Sequence, residues 1–196
     1  MTEMLLAIVL GAAFGATLDR IGATNPGYII RMLNLTETHL MKTIFTGIGV
    51  ASVLLFGGLL LGVVDPGHLS VKSAYAGVFI GGLLLGAGFA VAGYCPGTGL
   101  TALATGRKDA LFFAIGGLCG AAAYMVSYED FAGSAMLADI AGGKTTLGLI
   151  EGAGYPALFE SLSGEILGIA VGVVFIAIGL LLPHRLTGKP RSIAAE

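Results

Sequence analysis

Long apolar runs, separated by short polar or glycine- and proline-containing connections, dominate this chain. An α-helix rises about 1.5 Å per residue, so about 20 apolar residues cross the hydrocarbon layer of a bilayer. Five runs reach or approach that length, at residues 4–18, 40–64, 74–92, 110–127 and 164–182. A sixth apolar stretch, 98–105, follows a Cys-Pro-Gly turn and suffices only for a half-helix that dips into the bilayer.

This pattern predicts an all-α integral membrane protein. We expect one membrane domain over residues 1–196, with about five transmembrane helices and short broken or re-entrant helices around the Cys-Pro-Gly loop. Residues 128–163 are predicted to form a loop outside the membrane, and residues 184–196 a cytoplasmic tail. Within the loop, Gly-Gly-Lys-Thr-Thr at 142–146 lacks both the earlier glycine and the preceding strand of a phosphate-binding loop.

Composition excludes several other classes of protein. Hydrophobic residues make up 56% of the 196 positions and charged residues only 11%, against about 25% charged in soluble domains. The net charge of −2 provides no basic surface for nucleic acid, and the high hydrophobicity excludes a disordered chain. Cys95 and Cys119 lie in separate apolar runs, which argues against a disulfide framework or a metal site, and no cofactor is predicted.

The distribution of Lys and Arg predicts how the chain crosses the membrane. The first apolar run lacks the basic start of a signal peptide, so we expect it to be retained as a span in a bacterial inner membrane. If the N-terminus lies outside and the five spans alternate in direction, Lys72 and Lys144 are the only basic residues outside. The cytoplasmic side then receives the other eight basic residues, which are Arg20, Arg31, Lys42, Arg107, Lys108, Arg185, Lys189 and Arg191. This positive-inside bias also places the C-terminus in the cytoplasm.

Glycine is used in two ways. Glycines spaced four apart predict close helix packing, because small residues let helix backbones approach in lipid; they occur at 11/15, 77/81, 82/86, 116/120 and 164/168/172. In addition, Asn-Pro-Gly at 25–27 and Cys-Pro-Gly at 95–97 each break a glycine-containing helix. Broken backbone is tolerated at membrane depth where it lines a cavity, so two such breaks suggest repeats that meet at a permeation site.

The segment 93–99, Gly-Tyr-Cys-Pro-Gly-Thr-Gly, is the strongest candidate for chemistry. Unpaired N–H groups at the start of a short helix favour an anion, and a thiol there can donate its S–H to one. Thr98 adds a hydroxyl, and Gly97 and Gly99 allow a ligand to approach the backbone. The alternative is that Cys95 is a small, inert cysteine near a kink; Cys119, in mid-helix, is expected to serve packing.

Several motifs carry a resemblance to a known family. Gly-x-Gly-Phe at 86–89, the cysteine loop through Leu100, Gly-Arg-Lys-Asp-Ala at 106–110 and Gly-Gly-Leu-Cys-Gly at 116–120 resemble the YeeE/YedE sulfur-transport family. The opening motif 11–22, continuing to Lys42, is similar to the N-terminal motif of that family. Together these motifs cover about the first 125 residues.

The resemblance implies an inner-membrane permease for thiosulfate or a related anion, with cysteines on its path. Cys95 matches the family's Cys-x-Gly-Thr cysteine, whereas the family's N-terminal cysteine is replaced by Thr24, beside Asn25. The candidate substrate-binding residues are therefore Cys95, Gly97, Thr98, Gly99, Thr24 and Asn25. Full-length members carry a second cysteine motif in a second half, so a half-unit is expected to work as a homo-oligomer or with a companion half-size chain.

Two other functions stay open at this point. The chain could be a structural or accessory subunit that keeps the fold without transport, a hypothesis that the missing first cysteine favours. A membrane sulfurtransferase with Cys95 as nucleophile would need a neighbouring base, and His39, His68 and His184 are all distant from it in sequence. Arg20 or Arg107 could attract the anion or simply anchor the helices. No intramembrane acid or lysine indicates a proton relay, so facilitated uptake is the simpler expectation.

Overall fold

A computed structural model describes residues 2–140 and 142–184 of the chain. The described helices are α1 (Thr2–Arg20), α2 (Pro26–Leu33), α3 (His39–Leu60), α4 (Ala76–Ala92), α5 (Pro96–Ala104), α6 (Lys108–Ala132) and α7 (Gly164–Leu181). Two short strands, β1 (Thr146–Leu149) and β2 (Ala157–Ser163), lie between α6 and α7.

The helical content confirms the predicted all-α membrane architecture. Within the described residues, five segments are long and apolar enough to cross a membrane: α1, α3, the run Ala76–Ala104 that joins α4 and α5, α6, and α7. Their apolar side chains are mostly exposed, including Leu84 at 70% and Leu181 at 82%. In a soluble protein such exposure would cost free energy, whereas in a bilayer these side chains meet lipid.

The prediction that residues 128–163 form a loop is wrong in its secondary structure. Helix α6 continues through the acidic residues at 129 and 130 as far as Ala132. Strands β1 and β2 then pair in parallel, with Gly148 opposite Phe159 and an irregularity after Gly148. Of the predicted cytoplasmic tail 184–196, residues 185–196 lie outside the described residues.

Helix α2 was not predicted. Asn25 caps its N-terminus, with its side-chain Oδ1 accepting a hydrogen bond of 2.9 Å from the Gly27 N–H, and Pro26 occupies the first helical position. Ile29 and Met32, one turn apart, are both buried. This short amphipathic helix is too short for a span, so hydropathy alone does not reveal it.

The chain divides into two compact units. The first unit contains the described parts of Met1–Leu40, Leu84–Tyr128 and Pro183–Glu196. Its core consists of Tyr94, Ala102 and Ala110, with Leu103 and Phe113 packed against them. This core therefore joins the start of α5, its interior and the start of α6.

The second unit contains Met41–Leu83 and Glu129–Leu182. Here α3 and α7 approach so closely that a Cβ on Gly49 would lie 2.6 Å from the Gly172 carbonyl oxygen. Gly168, on the same face of α7, lies directly against the Phe56 ring. The predicted glycine packing is thus observed along α7. It is not observed at six of the other predicted positions, which meet no atom within 4 Å where a Cβ would be: Gly11, Gly81, Gly82, Gly86, Gly116 and Gly120.

Candidate functional site

The cysteine loop begins with a reciprocal cap on helix α5. Cys95 is the N-cap residue, and its Sγ accepts a hydrogen bond of 3.3 Å from the Thr98 N–H. In return, the Thr98 Oγ1 accepts from the Cys95 N–H at 3.0 Å. The Thr98 hydroxyl also lies 3.2 Å from the Cys95 Sγ, to which it can donate. Two N–H groups that have no partner within the helix are thereby satisfied.

This cap fixes the thiol at the positive end of a short helix. Cys95 has extended backbone geometry, with φ of −85° and ψ of 164°, and Pro96 then sets the first helical φ. Cys95 is half-buried and Thr98 is only 6% exposed, whereas Pro96 and Gly97 are exposed. The thiol, the threonine hydroxyl and the helix N-terminus are thus brought together beside an open backbone segment.

The two glycines of the loop have different roles. The Gly99 N–H donates to the Cys95 carbonyl oxygen at 2.9 Å, so it already has an acceptor within the helix. A Cβ on Gly99 would collide with the Phe113 ring, so this position needs glycine for packing. Gly97 has open space where a Cβ would be and is exposed, which makes its backbone the accessible one.

The second break in the chain lies against the first. Gly93 has a φ of +68°, and a Cβ there would lie 2.8 Å from Pro26 Cβ. The Asn-Pro-Gly and Cys-Pro-Gly segments are therefore neighbours, as the sequence predicted for two broken helices. Thr24 is 8% exposed and its hydroxyl donates to Asp19 Oδ1 at 2.8 Å, while Asn25 caps α2 and is exposed.

A polar cluster that sequence reasoning missed adjoins the loop. The Tyr94 hydroxyl donates to Asp109 Oδ2 at 2.8 Å and accepts from Arg107 Nε at 2.8 Å. Arg107 also forms an ion pair with Asp109, with Nη2 at 2.8 Å from Oδ2. The hydrogen bonds that the Arg107 guanidinium donates to Asp109 raise the pKa of Arg107 above its ordinary value. Arg107 therefore stays charged, and the Asp109 carboxylate compensates that charge. The only signal in the sequence was Arg-Lys-Asp, which also fits a plain membrane anchor.

A groove of about 470 Å³ runs between α1 and α5 in the first unit. Small residues of α1, including Gly11 and Gly15, form one side, and Thr101 of α5 and its C-cap residue Thr105 form part of the other. Asp19, the acceptor of the Thr24 hydrogen bond, also lines it. The groove therefore follows the second half of α5, and its lining does not include the Cys95–Thr98 cap.

Comparison with known proteins now decides the family. The family described as sulphur transport matches residues 24–194, which is most of the chain and includes both broken segments. The chain belongs to the sulphur transport family. This membership confirms the resemblance to the YeeE/YedE family carried by the cysteine motif, and it makes the chain a multi-pass membrane protein of a transporter family.

One curated protein matches part of the chain. It is the "Probable transporter YedE" of Escherichia coli (strain K12), 29% identical over 129 residues. The match covers 65% of this chain but only 31% of that transporter. No solved structure matches the chain.

Proposed function

We propose that this chain moves a small sulfur-containing anion such as thiosulfate across a bacterial inner membrane. The observation that carries the proposal is the Cys95–Thr98 cap, which holds a thiol and a hydroxyl at the N-terminus of a short helix beside exposed backbone. An anion that enters the membrane loses hydration and needs hydrogen-bond donors in exchange. The Cys95 S–H and the Gly97 N–H are the donors proposed for it. The Thr98 hydroxyl joins them by turning from the Cys95 Sγ to the anion.

The Asn-Pro-Gly break supplies the second part of the proposed path. Pro26 packs against Gly93, which brings the backbone of residues 24–26 next to the cysteine loop. Thr24 and Asn25 are the polar side chains on that segment, and both are proposed to contact the anion as it passes. Thr24 occupies the position where the family places a cysteine, so it would offer a hydroxyl in place of a second thiol when that hydroxyl turns away from Asp19 Oδ1.

We propose facilitated movement without a proton relay. Among the described residues, the acid at the start of α6 is Asp109, which is paired with Arg107, and the acid at the start of α7 is Glu165, which accepts from the Ser163 hydroxyl at 2.7 Å. Both lie at helix ends, where they cap or pair. Net uptake would then depend on consumption of the anion inside the cell.

The orientation and the assembly are parts of the same proposal. The Lys and Arg distribution favours an outside N-terminus and a cytoplasmic C-terminus. The chain spans about half the length of the transporter that it matches. As part of the proposal, it works as a half-unit, either in a homo-oligomer or with a companion half-size chain. Reporter fusions at each terminus test the orientation; a cytoplasmic N-terminus would overturn it.

Uptake in cells tests the proposed function. Cells that lack other sulfate and thiosulfate importers receive the wild-type chain, Cys95→Ala or Cys119→Ala, each with and without any co-encoded half-size chain. We expect labelled thiosulfate to enter with the wild type and with Cys119→Ala, because Cys119 is exposed on α6 and is not a residue of the cap. Uptake should be lost with Cys95→Ala at equal membrane abundance. Absence of uptake from the wild type under both conditions would overturn the proposal.

The alternative is a structural or accessory membrane subunit without transport. The replacement of the family's first cysteine by Thr24 favours it. Under this alternative, Cys95→Ala and the wild type would be indistinguishable in uptake, and the chain would purify with a larger complex whose assembly depends on it. A sulfurtransferase is disfavoured, because the polar side-chain partner of Cys95 in the described structure is Thr98, which is not a base.

A further inference from the structure

Tyr94, the residue before the cysteine, is tied to helix α6 by two charged side chains. Its hydroxyl donates to Asp109 and accepts from Arg107, each at 2.8 Å. Both partners lie at the start of α6 or immediately before it. Hydrogen bonds to charged partners are stronger than neutral ones, and this hydroxyl makes two of them.

The Tyr94 ring is also fixed by packing. The side chain is 2% exposed, and its ring lies 5.7 Å from the Phe113 ring at a tilt of 52°. Phe113 covers Gly99, four residues beyond Cys95, so the same α6 side chain touches both ends of the loop. Ala102 and Ala110, both completely buried, complete the contact between α5 and α6.

The Cys95–Thr98 cap and the contacts of Tyr94 act on the same short segment. The cap sets the geometry within residues 95–98, and the Tyr94 contacts set where that segment lies relative to α6. If the hydroxyl contacts are removed, the cap can persist while the loop shifts. A shift of about 1 Å is enough to weaken a preorganised site.

We infer that Tyr94, held by Arg107 and Asp109, is a positioning residue that places the Cys95 thiol for the passing anion. The effect on transport rests on the proposed function; the effect on the thiol does not. Arg107 thereby acts through Tyr94 and Asp109 rather than by meeting the anion directly. Tyr94→Phe is the sharpest variant, because it keeps the ring and removes only the hydroxyl.

The test uses the full chain in membranes, with Cys119→Ala as the background so that Cys95 is its single cysteine. Two quantities are measured: KM for labelled thiosulfate uptake, and the rate at which a membrane-permeant maleimide alkylates Cys95 in the absence of thiosulfate. Tyr124→Phe is the matched control, since it removes a hydroxyl from α6 where the ring contacts Tyr128 instead.

We expect Tyr94→Phe to raise KM about tenfold at unchanged membrane abundance, as for the loss of a buried hydrogen bond to charged groups. We also expect alkylation of Cys95 to accelerate at least about threefold, because a displaced loop exposes the half-buried thiol. Tyr124→Phe should change neither quantity. If Tyr94 only stabilised the fold, Tyr94→Phe would lower the amount of chain in the membrane, and the chain that remains would keep the KM of the wild type.

The outcomes separate this inference from the proposed function. If no chain takes up thiosulfate but Tyr94→Phe still accelerates alkylation, the proposed function fails and the positioning role stands. An unchanged alkylation rate of Cys95 in Tyr94→Phe overturns the positioning role. In a chain that transports thiosulfate, an unchanged KM overturns it as well. Should Tyr94→Phe fail to accumulate, Asp109→Ala, which removes the acceptor of the Tyr94 hydroxyl, is measured in the same two assays with the same expected and overturning results.

Discussion

Gly93 lies against Pro26 with no room for a side chain between them. A Cβ on Gly93 would be 2.8 Å from Pro26 Cβ and 3.2 Å from the Pro26 carbonyl oxygen. The residue also has a φ of +68°, where side chains other than glycine are strained. The contact between the two broken segments therefore depends on glycine for two independent reasons.

Gly93→Ala should consequently destabilise the first unit. We expect a loss of about 1–3 kcal/mol from backbone strain, and a further loss from the collision with Pro26. Thermal unfolding in mild detergent measures it. Gly97→Ala is the control, because it has open space at its Cβ and lies within a helix, where alanine is favoured. Equal unfolding temperatures for both variants would contradict the observed contact.

Thr98→Val tests the reciprocal cap. Valine keeps the shape of threonine but removes the oxygen that accepts from the Cys95 N–H. We expect a loss of about 1–2 kcal/mol in stability, as for other helix caps, together with reduced thiosulfate uptake. Thr98→Ser retains the hydroxyl and should restore most of the uptake. If Thr98→Ser transports no better than Thr98→Val, the hydroxyl has no part in the site.

The contact between Gly99 and Phe113 predicts a coupled pair of substitutions. A Cβ on Gly99 would overlap the Phe113 ring, so Gly99→Ala should destabilise the chain by about 1–3 kcal/mol. Phe113→Leu makes space, and the double variant should recover part of that loss. A double-mutant cycle of unfolding free energies measures the coupling. Additive effects would show that the two residues do not meet.

The second unit allows a matched comparison within one helix. Gly49 and Gly57 both lie in α3, but only Gly49 faces α7 closely, with Gly172 O at 2.6 Å from a built Cβ. Gly49→Ala should lower the unfolding temperature, because two backbones must separate to admit the methyl group. Gly57→Ala meets no neighbour and should leave it unchanged or raise it. A lower unfolding temperature for Gly57→Ala than for Gly49→Ala would refute the packing of α3 on α7.

Hydropathy was sufficient to predict the spans, because lipid requires long apolar helices whatever their tertiary neighbours. Helix α2 escaped this criterion because it is only eight residues long. Asn25 followed by Pro26 is a typical helix start and was the signal available for it. Strands β1 and β2 are short and depend on each other for hydrogen bonds, which a local pattern does not encode.

The candidate site was predictable only in part. Cys95, Pro96 and Thr98 are adjacent in sequence, so their placement at one helix start follows from local rules. Tyr94 and Asp109 are 15 residues apart, and their hydrogen bond depends on how α5 packs against α6. The Gly99 N–H was expected to be open to a ligand, but in the structure it donates to the Cys95 carbonyl oxygen within the first turn of α5.

Isotope flux into proteoliposomes tests the central claim, that Cys95 lies on the path of the anion. The full chain, purified in mild detergent with any companion chain that accompanies it, is reconstituted as wild type, Cys95→Ala and Cys119→Ala. We predict entry of labelled thiosulfate with the wild type and Cys119→Ala, and flux no higher than in empty liposomes with Cys95→Ala. Equal flux in Cys95→Ala and the wild type would contradict the account.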